Sequence, residues 1–311
     1  MMKHSPGTAR DLHRRLAEWW GSAHAERLIS AWAELPGNKW TPSLQRSALL
    51  DADTYLVTDE MSALCRQAGF ALPHLEITRA MLPTELGFIV FNDNAFDHED
   101  LPATMKCPAQ VYAWRTGVHA GAPGVWVNSY VDYQDRLEWI QKYRPSVYAE
   151  LNAAGPDLGD LLEQATRPYH APLEPNGLTF VPFGQTVEWT APIHDNDTYA
   201  SIQMVVAAWL LMDQPITLTE KPPLQRAFTK RAQRAGLTSN INVVMLRRPR
   251  SQSEGDGTSG RQYHSRWVVQ GHWRRIPTPD QPQRITWVHG YVKGPTDAPL
   301  VLRDRVTVLG R

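Results

Sequence analysis

Apolar positions near the start of the chain recur at three- and four-residue intervals. Across residues 11–35 (DLHRRLAEWWGSAHAERLISAWAEL), Leu12, Leu16, Trp19 and Trp20 form one stripe and Leu28, Ile29, Trp32 and Leu35 another, with Gly21-Ser22 between them. That spacing predicts two amphipathic helices. Pro36-Gly37 and Pro42 are read as their end, and a further helix is predicted over 52–68, strongest from Asp59 to Gly69, which caps it. The period then shortens to two. Gly87-Phe-Ile-Val-Phe91 and residues 125–131 (VWVNSYV) read as strands, and 178–189 (LTFVPFGQTVEW) as a strand that Pro182 and Gly184 confine to an edge or a bulge. Helices are expected at 134–148 and 157–166, and the loop 193–198 (IHDNDT) offers N-caps to an apolar helix over 199–212 that Pro215 stops.

The last hundred residues carry a different pattern. Residues 224–235 (LQRAFTKRAQRA), between Pro222-Pro223 and Gly236, predict a helix with Arg226, Lys230 and Arg234 at i, i+4 and i+8 and Arg231 beside them. A strand over 241–248 (INVVMLRR) ends in Arg247 and Arg248, and the polar, Gly-rich stretch 251–260 separates it from strands at 263–275, 284–293 and 305–309. Alternation along 263–275 (YHSRWVVQGHWRR) places Tyr263, Trp267, Val269 and Trp273 on one face, and His264, Arg266, Val268, Gln270, His272 and Arg274 on the other. No repeat with a period of 20 to 50 residues is present.

Composition narrows the class. With 42% hydrophobic and 21% charged residues over 311 positions, the chain is a globular protein with a packed core and neither a low-complexity nor a disordered one. The most apolar segment, 201–212 (SIQMVVAAWLLM), falls well short of the roughly 20 residues of a membrane span, so no membrane partner is expected. Charged residues come too early in MMKHSPGTARDLHRRL for a signal peptide, and Cys65 and Cys107 support neither a disulfide framework nor a zinc site. A reducing, cytoplasmic setting is the expectation.

The zero net charge conceals two opposite halves. Residues 1–213 hold 15 Lys+Arg against 26 Asp+Glu, a net of −11, and residues 214–311 hold 17 against 6, a net of +11. The expected fold is therefore α+β: an acidic, mainly helical part over 1–213 with some sheet, and a basic module over 214–311 with one helix and a four-stranded antiparallel sheet. A positive field on so short a segment is the electrostatic footprint of a phosphate-bearing partner, DNA or RNA. Arg226, Lys230, Arg231, Arg234, Arg247, Arg248, Arg266, Gln270 and Arg274 are the candidate nucleic-acid contacts. Two rivals share these residues. A metal-independent ribonuclease would use His272 or His264 to move protons, with Arg266, Arg274 and Lys293 stabilising the developing phosphorane charge. A protein-interaction module would dock the basic surface on an acidic one, such as the chain's own residues 93–100 (DNAFDHED).

Metal and cofactor chemistry find no support in the motifs. His264 and His272 lie about 26 Å apart on one extended strand at about 3.3 Å per residue, so they cannot share an ion, and His289 has no carboxylate or thiol beside it. The acidic runs at 93–100 and 194–197 lack EF-hand spacing, and the chain has no P-loop, GxGxxG, GxSxG or HExxH. No cofactor is expected. Among twelve Trp, Trp19, Trp32, Trp209, Trp267 and Trp273 sit on apolar faces and read as core rather than as stacking platforms for bases.

One resemblance bears on the setting. The segment His264-Ser-Arg266-Trp267-Val-Val-Gln-Gly271-His272-Trp273-Arg274, followed by Trp287 and by Lys293-Gly294-Pro295-Thr-Asp297-Ala298-Pro299-Leu300, resembles a family of uncharacterised actinobacterial, plasmid and phage proteins. The likeness is specific within about 199–311. It implies a bacterial or mobile-element origin and a recurring C-terminal module, and it brings no activity or functional residue with it.

Overall fold

The computed structural model describes residues 4–32, 41–92, 110–132, 171–189, 192–194, 197–237, 240–247, 267–278 and 284–293, with isolated positions between 141 and 149 and residue 299. Seven strands form one mixed sheet in the order β10 (Thr217–Glu220), β11 (Ile241–Leu246), β1 (Asp53–Val57), β3 (Leu86–Phe91), β4 (Val111–His119), β5 (Ala122–Val131) and β6 (Glu174–Pro182). The central trio β11, β1 and β3 is parallel and the remaining pairs are antiparallel. Helices and a mixed sheet thus make up the molecule together. Small two-stranded pairings join β2 (Leu75–Glu76) to β7 (Thr186–Val187) and β8 (Pro192–His194) to β9 (Asp197–Thr198).

Strand alternation divides the core in two. Tyr55, Val57, Ile89, Phe91, Tyr112 and Trp114 point to one face, beneath α4 (Asp59–Phe70) and α5 (Gln203–Met212). Leu56, Phe88, Val90, Val111 and Ala113 point to the other, beneath α1 (Pro6–Trp20) and α3 (Pro42–Asp51). Beside α1 on this second face lie α6 (Arg226–Arg234) and α2 (Ala23–Trp32). A helix as apolar on all sides as α5 needs cover on both sides. The sheet lies on one side of it, and on the other a ribbon of β13 (His272–Arg275) and β14 (Ile285–Val288) brings in Ile285 and Trp287.

Several elements differ from the sequence reading, each for a local reason. The helix expected over 52–68 is two elements: the run Asp53–Val57 (DTYLV) is the middle strand of the parallel trio, and helix begins only at Asp59. Five residues rich in β-branched and aromatic side chains are too short to show either period. Pro42 does not end a helix but opens one, at the first turn of α3, with Thr41 accepting from the Leu44 N–H as its N-cap. The apolar helix of 199–212 starts as a 3-10 turn over Tyr199–Ile202, and its N-cap Ile202 makes no side-chain cap bond.

The strand of 263–275 is also two, β12 (Trp267–Val269) and β13, interrupted at Gln270-Gly271. The partner is broken at His289-Gly290 into β14 and β15 (Tyr291–Lys293), and the register is unchanged across the break, Val269 facing Tyr291 and His272 facing Val288. Trp287 packs so closely over Gly271 that a Cβ there would collide with its ring. β11 leaves the expected four-stranded antiparallel sheet and pairs in parallel with β1 instead, because Val243 and Val244 are buried on opposite faces and need cover on both. Strands on both sides of residue 213 therefore share one sheet. β6, as Pro182 indicated, is an edge strand. The expected helix at 157–166 and the strand at 305–309 lie outside the described residues, as does most of 134–148.

Candidate functional site

α6 begins after Pro222-Pro223-Leu224 and turns its small and aromatic side onto α1. Ala232 is buried there, and Phe228 lies against Gly7, where a Cβ would meet its ring at 2.7 Å. That docking fixes the opposite side in solvent: Arg226, Lys230, Arg231 and Arg234 are all exposed. Arg231 is tied back, its Nε 3.8 Å from the Asp11 carboxylate and its guanidinium 4.8 Å from the centre of the Phe228 ring. Arg226, Lys230 and Arg234 have no carboxylate within 4.0 Å among the described residues. At about 1.5 Å per residue the three cations span roughly 12 Å of helix, the rise of three to four nucleotides along a duplex strand.

Among the described residues, the other predicted contacts do not join this surface. Arg247 is exposed at the carboxyl end of β11, whereas α6 leads into its amino end. Gln270, His272 and Arg274 are exposed on the ribbon, which docks on α4 and α5 and so stands on the opposite face of the sheet from α6. There the Trp273 indole N–H donates to the Ala68 carbonyl at 2.7 Å, and the Gln214 side-chain oxygen accepts from the Trp287 backbone N–H at 2.9 Å. Trp273 does face the core, edge-on to Trp287, and His272 and Arg274 face outward, so the alternation holds for β13. The His272 Nδ1 lies 3.1 Å from the Gln270 carbonyl. Burial lowers the pKa of His289 from its ordinary value. Arg248, His264 and Arg266 lie outside the described residues, and for Lys293 only the backbone in β15 is described.

A polar constellation that the charge pattern did not single out lies under α6, at the amino ends of β1 and β11. Arg10 is 3% exposed, and its Nη1 donates to the Thr54 hydroxyl at 2.7 Å. The hydroxyl lies 2.8 Å from His13 Nδ1, and His13 Nε2 lies 2.7 Å from the Leu49 carbonyl. With the ring neutral, one arrangement of protons satisfies all three contacts. Nε2 carries the ring proton and donates to Leu49, Nδ1 accepts from Thr54, and Thr54 accepts from Arg10. Burial, reinforced by the Arg10 charge, lowers the His13 pKa to about 3, so the ring is neutral. Burial likewise lowers Arg10 to about 10, against the opposing charge of Asp53, and leaves it a cation at neutral pH.

Arg10 also lines a cavity of about 250 Å³ between α1, α6 and the start of β11, together with Lys221, Thr229, Gln233 and Asn240. The sequence did hold a signal for it. Arg10 and His13 stand three residues apart on the side of α1 that continues through Ala17 and Trp20, all four of them buried. No protein-family model matches this chain, and no curated protein matches it.

Proposed function

We propose that this protein binds nucleic acid through the solvent face of α6. The observation that carries it is the row of Arg226, Lys230 and Arg234, exposed and without a carboxylate partner among the described residues. Three like charges held in one row repel one another, and a polyanion laid along them removes the repulsion and releases its own counterions. Backbone phosphates are the groups such a row meets, so binding is salt-dependent and carries little base specificity. The ribbon residues contribute nothing to this surface from the far face of the sheet. The setting that goes with it, a bacterial chromosome, plasmid or phage, rests on the C-terminal signature.

The test is binding of the full chain to labelled duplex DNA and single-stranded RNA at two salt concentrations. The full chain is required because β10 and β11 belong to the sheet of β1. Three phosphate contacts predict that affinity for duplex falls roughly 40-fold between about 50 and 200 mM salt. The triple variant Arg226→Glu, Lys230→Glu, Arg234→Glu should lose that dependence along with the binding. Failure to bind at the lower salt, or equal binding by the triple variant, overturns the proposal and leaves an acidic protein surface as the partner to seek.

A further inference from the structure

Next to the cationic row lies a site of a different kind. The cavity beneath α6, at about 250 Å³, is larger than an inorganic ion needs and has room for a small ligand. Among the described residues its lining holds two cations, the buried Arg10 and the exposed Lys221, and no carboxylate. The Thr229 hydroxyl and the Gln233 and Asn240 amides supply further hydrogen-bonding groups, and Leu224 and Ile241 supply apolar wall. Asp53 acts on Arg10 through its charge but is not part of the lining.

We infer that this cavity is a binding site for a phosphate monoester, carried either by a free mononucleotide-sized molecule or by the phosphorylated end of a nucleic-acid strand. Charge selects this class. A monoester phosphate carries about −1.5 to −2 at pH 7, which matches one guanidinium and one ammonium, whereas a carboxylate neutralises only one of them. Position supports it. Arg10 is held by Thr54 and is 3% exposed, so its charge acts in a poorly screened environment, while Lys221 is an exposed member of the lining. Thr229 and Gln233 occupy the row of α6 next to Arg226, Lys230 and Arg234, so a strand lying on that row runs alongside the cavity, and a strand that ends there presents its terminal group to it.

The experiment titrates the full chain with AMP, adenosine, inorganic phosphate and acetate, and with one oligonucleotide bearing either a 5′-phosphate or a 5′-hydroxyl, following binding and the shift in melting temperature. AMP should bind and raise the melting temperature while adenosine and acetate do not, and Lys221→Gln, an exposed change, should weaken AMP at least tenfold without altering the melting temperature of the free protein. If the ligand is a strand end, the 5′-phosphate oligonucleotide binds at least tenfold tighter than its 5′-hydroxyl twin and AMP competes with it. If it is a free small molecule, AMP binds and the two oligonucleotides are alike. AMP binding no tighter than adenosine or acetate, or AMP binding untouched by Lys221→Gln, overturns the inference. The α6 proposal fails separately, on the 5′-hydroxyl oligonucleotide not binding at low salt.

Discussion

Thr54 sits between a cation and a neutral imidazole, and its hydroxyl serves both, accepting from Arg10 and donating to His13. Valine fills the same space with no polar atom, so Thr54→Val takes a hydroxyl donor from the buried His13 Nδ1 and an acceptor from the Arg10 Nη1. The expected loss is about 1–3 kcal/mol, read from urea unfolding. His13 makes a second prediction, in pH. The unfolded chain protonates this ring near its ordinary 6.5, while the folded chain resists until about 3. Between those values the unfolded state binds the extra proton, so His13 makes stability fall as pH drops through 6.5, by ~1.4 kcal/mol per unit, down to about 3. His13→Gln, which keeps a donor for the Leu49 carbonyl, should shallow the wild-type slope between pH 6 and 5 by about that amount. An identical slope in the variant would refute the assignment. Charge counting missed these residues because it weighs every arginine alike. The spacing of Arg10, His13, Ala17 and Trp20 on one buried side of α1 is what distinguishes them.

Elements are held to the sheet by a few large anchors. Trp287, 4% exposed, fills the space over Gly271 and against Trp273, and it couples the ribbon to α5 through Gln214. Trp287→Ala should therefore lower stability by about 3–5 kcal/mol in denaturant unfolding. Arg274 is exposed on the same ribbon, so Arg274→Glu should leave both stability and oligonucleotide affinity within about twofold of wild type, in contrast to the α6 variants. A large loss of affinity in Arg274→Glu would mean that the ribbon meets the ligand after all. Long periodic elements were legible in the chain: α1 and α2 with their break at Gly21-Ser22, β3, α6, and the edge position of β6. Short ones were not. β1 lies inside a longer stretch of helical composition, and Pro42 reads the same whether it closes one helix or opens the next.

At the scale of the molecule, charge and architecture divide the chain differently. The sign of the charge changes near residue 213, yet β11 beyond that point hydrogen-bonds to β1, and Ile241, Val243 and Val244 fill both layers of the core. Residues 1–213 alone should lose cooperative unfolding and near-UV ellipticity, since removing β11 bares one side of β1 and opens the core on both faces. A cooperative melt from that fragment would show that it is self-sufficient. Which cations share a surface was likewise illegible. The sequence grouped α6 with the strand of His272 and Arg274 because they are neighbours in the last third of the chain, but the sheet passes between them.

The two borders of that sheet govern how the protein behaves in a crowd. β10 is four residues long and runs directly into Lys221-Pro222-Pro223, and β6 carries Pro175 and Pro182 near its two ends and faces a register shift at Ser129/Tyr130. A neighbouring strand that tried to zip onto either border would meet missing amide protons, a charge or a kink within a few residues. Growth of the sheet from molecule to molecule, the first step towards a fibril, is therefore blocked at both ends.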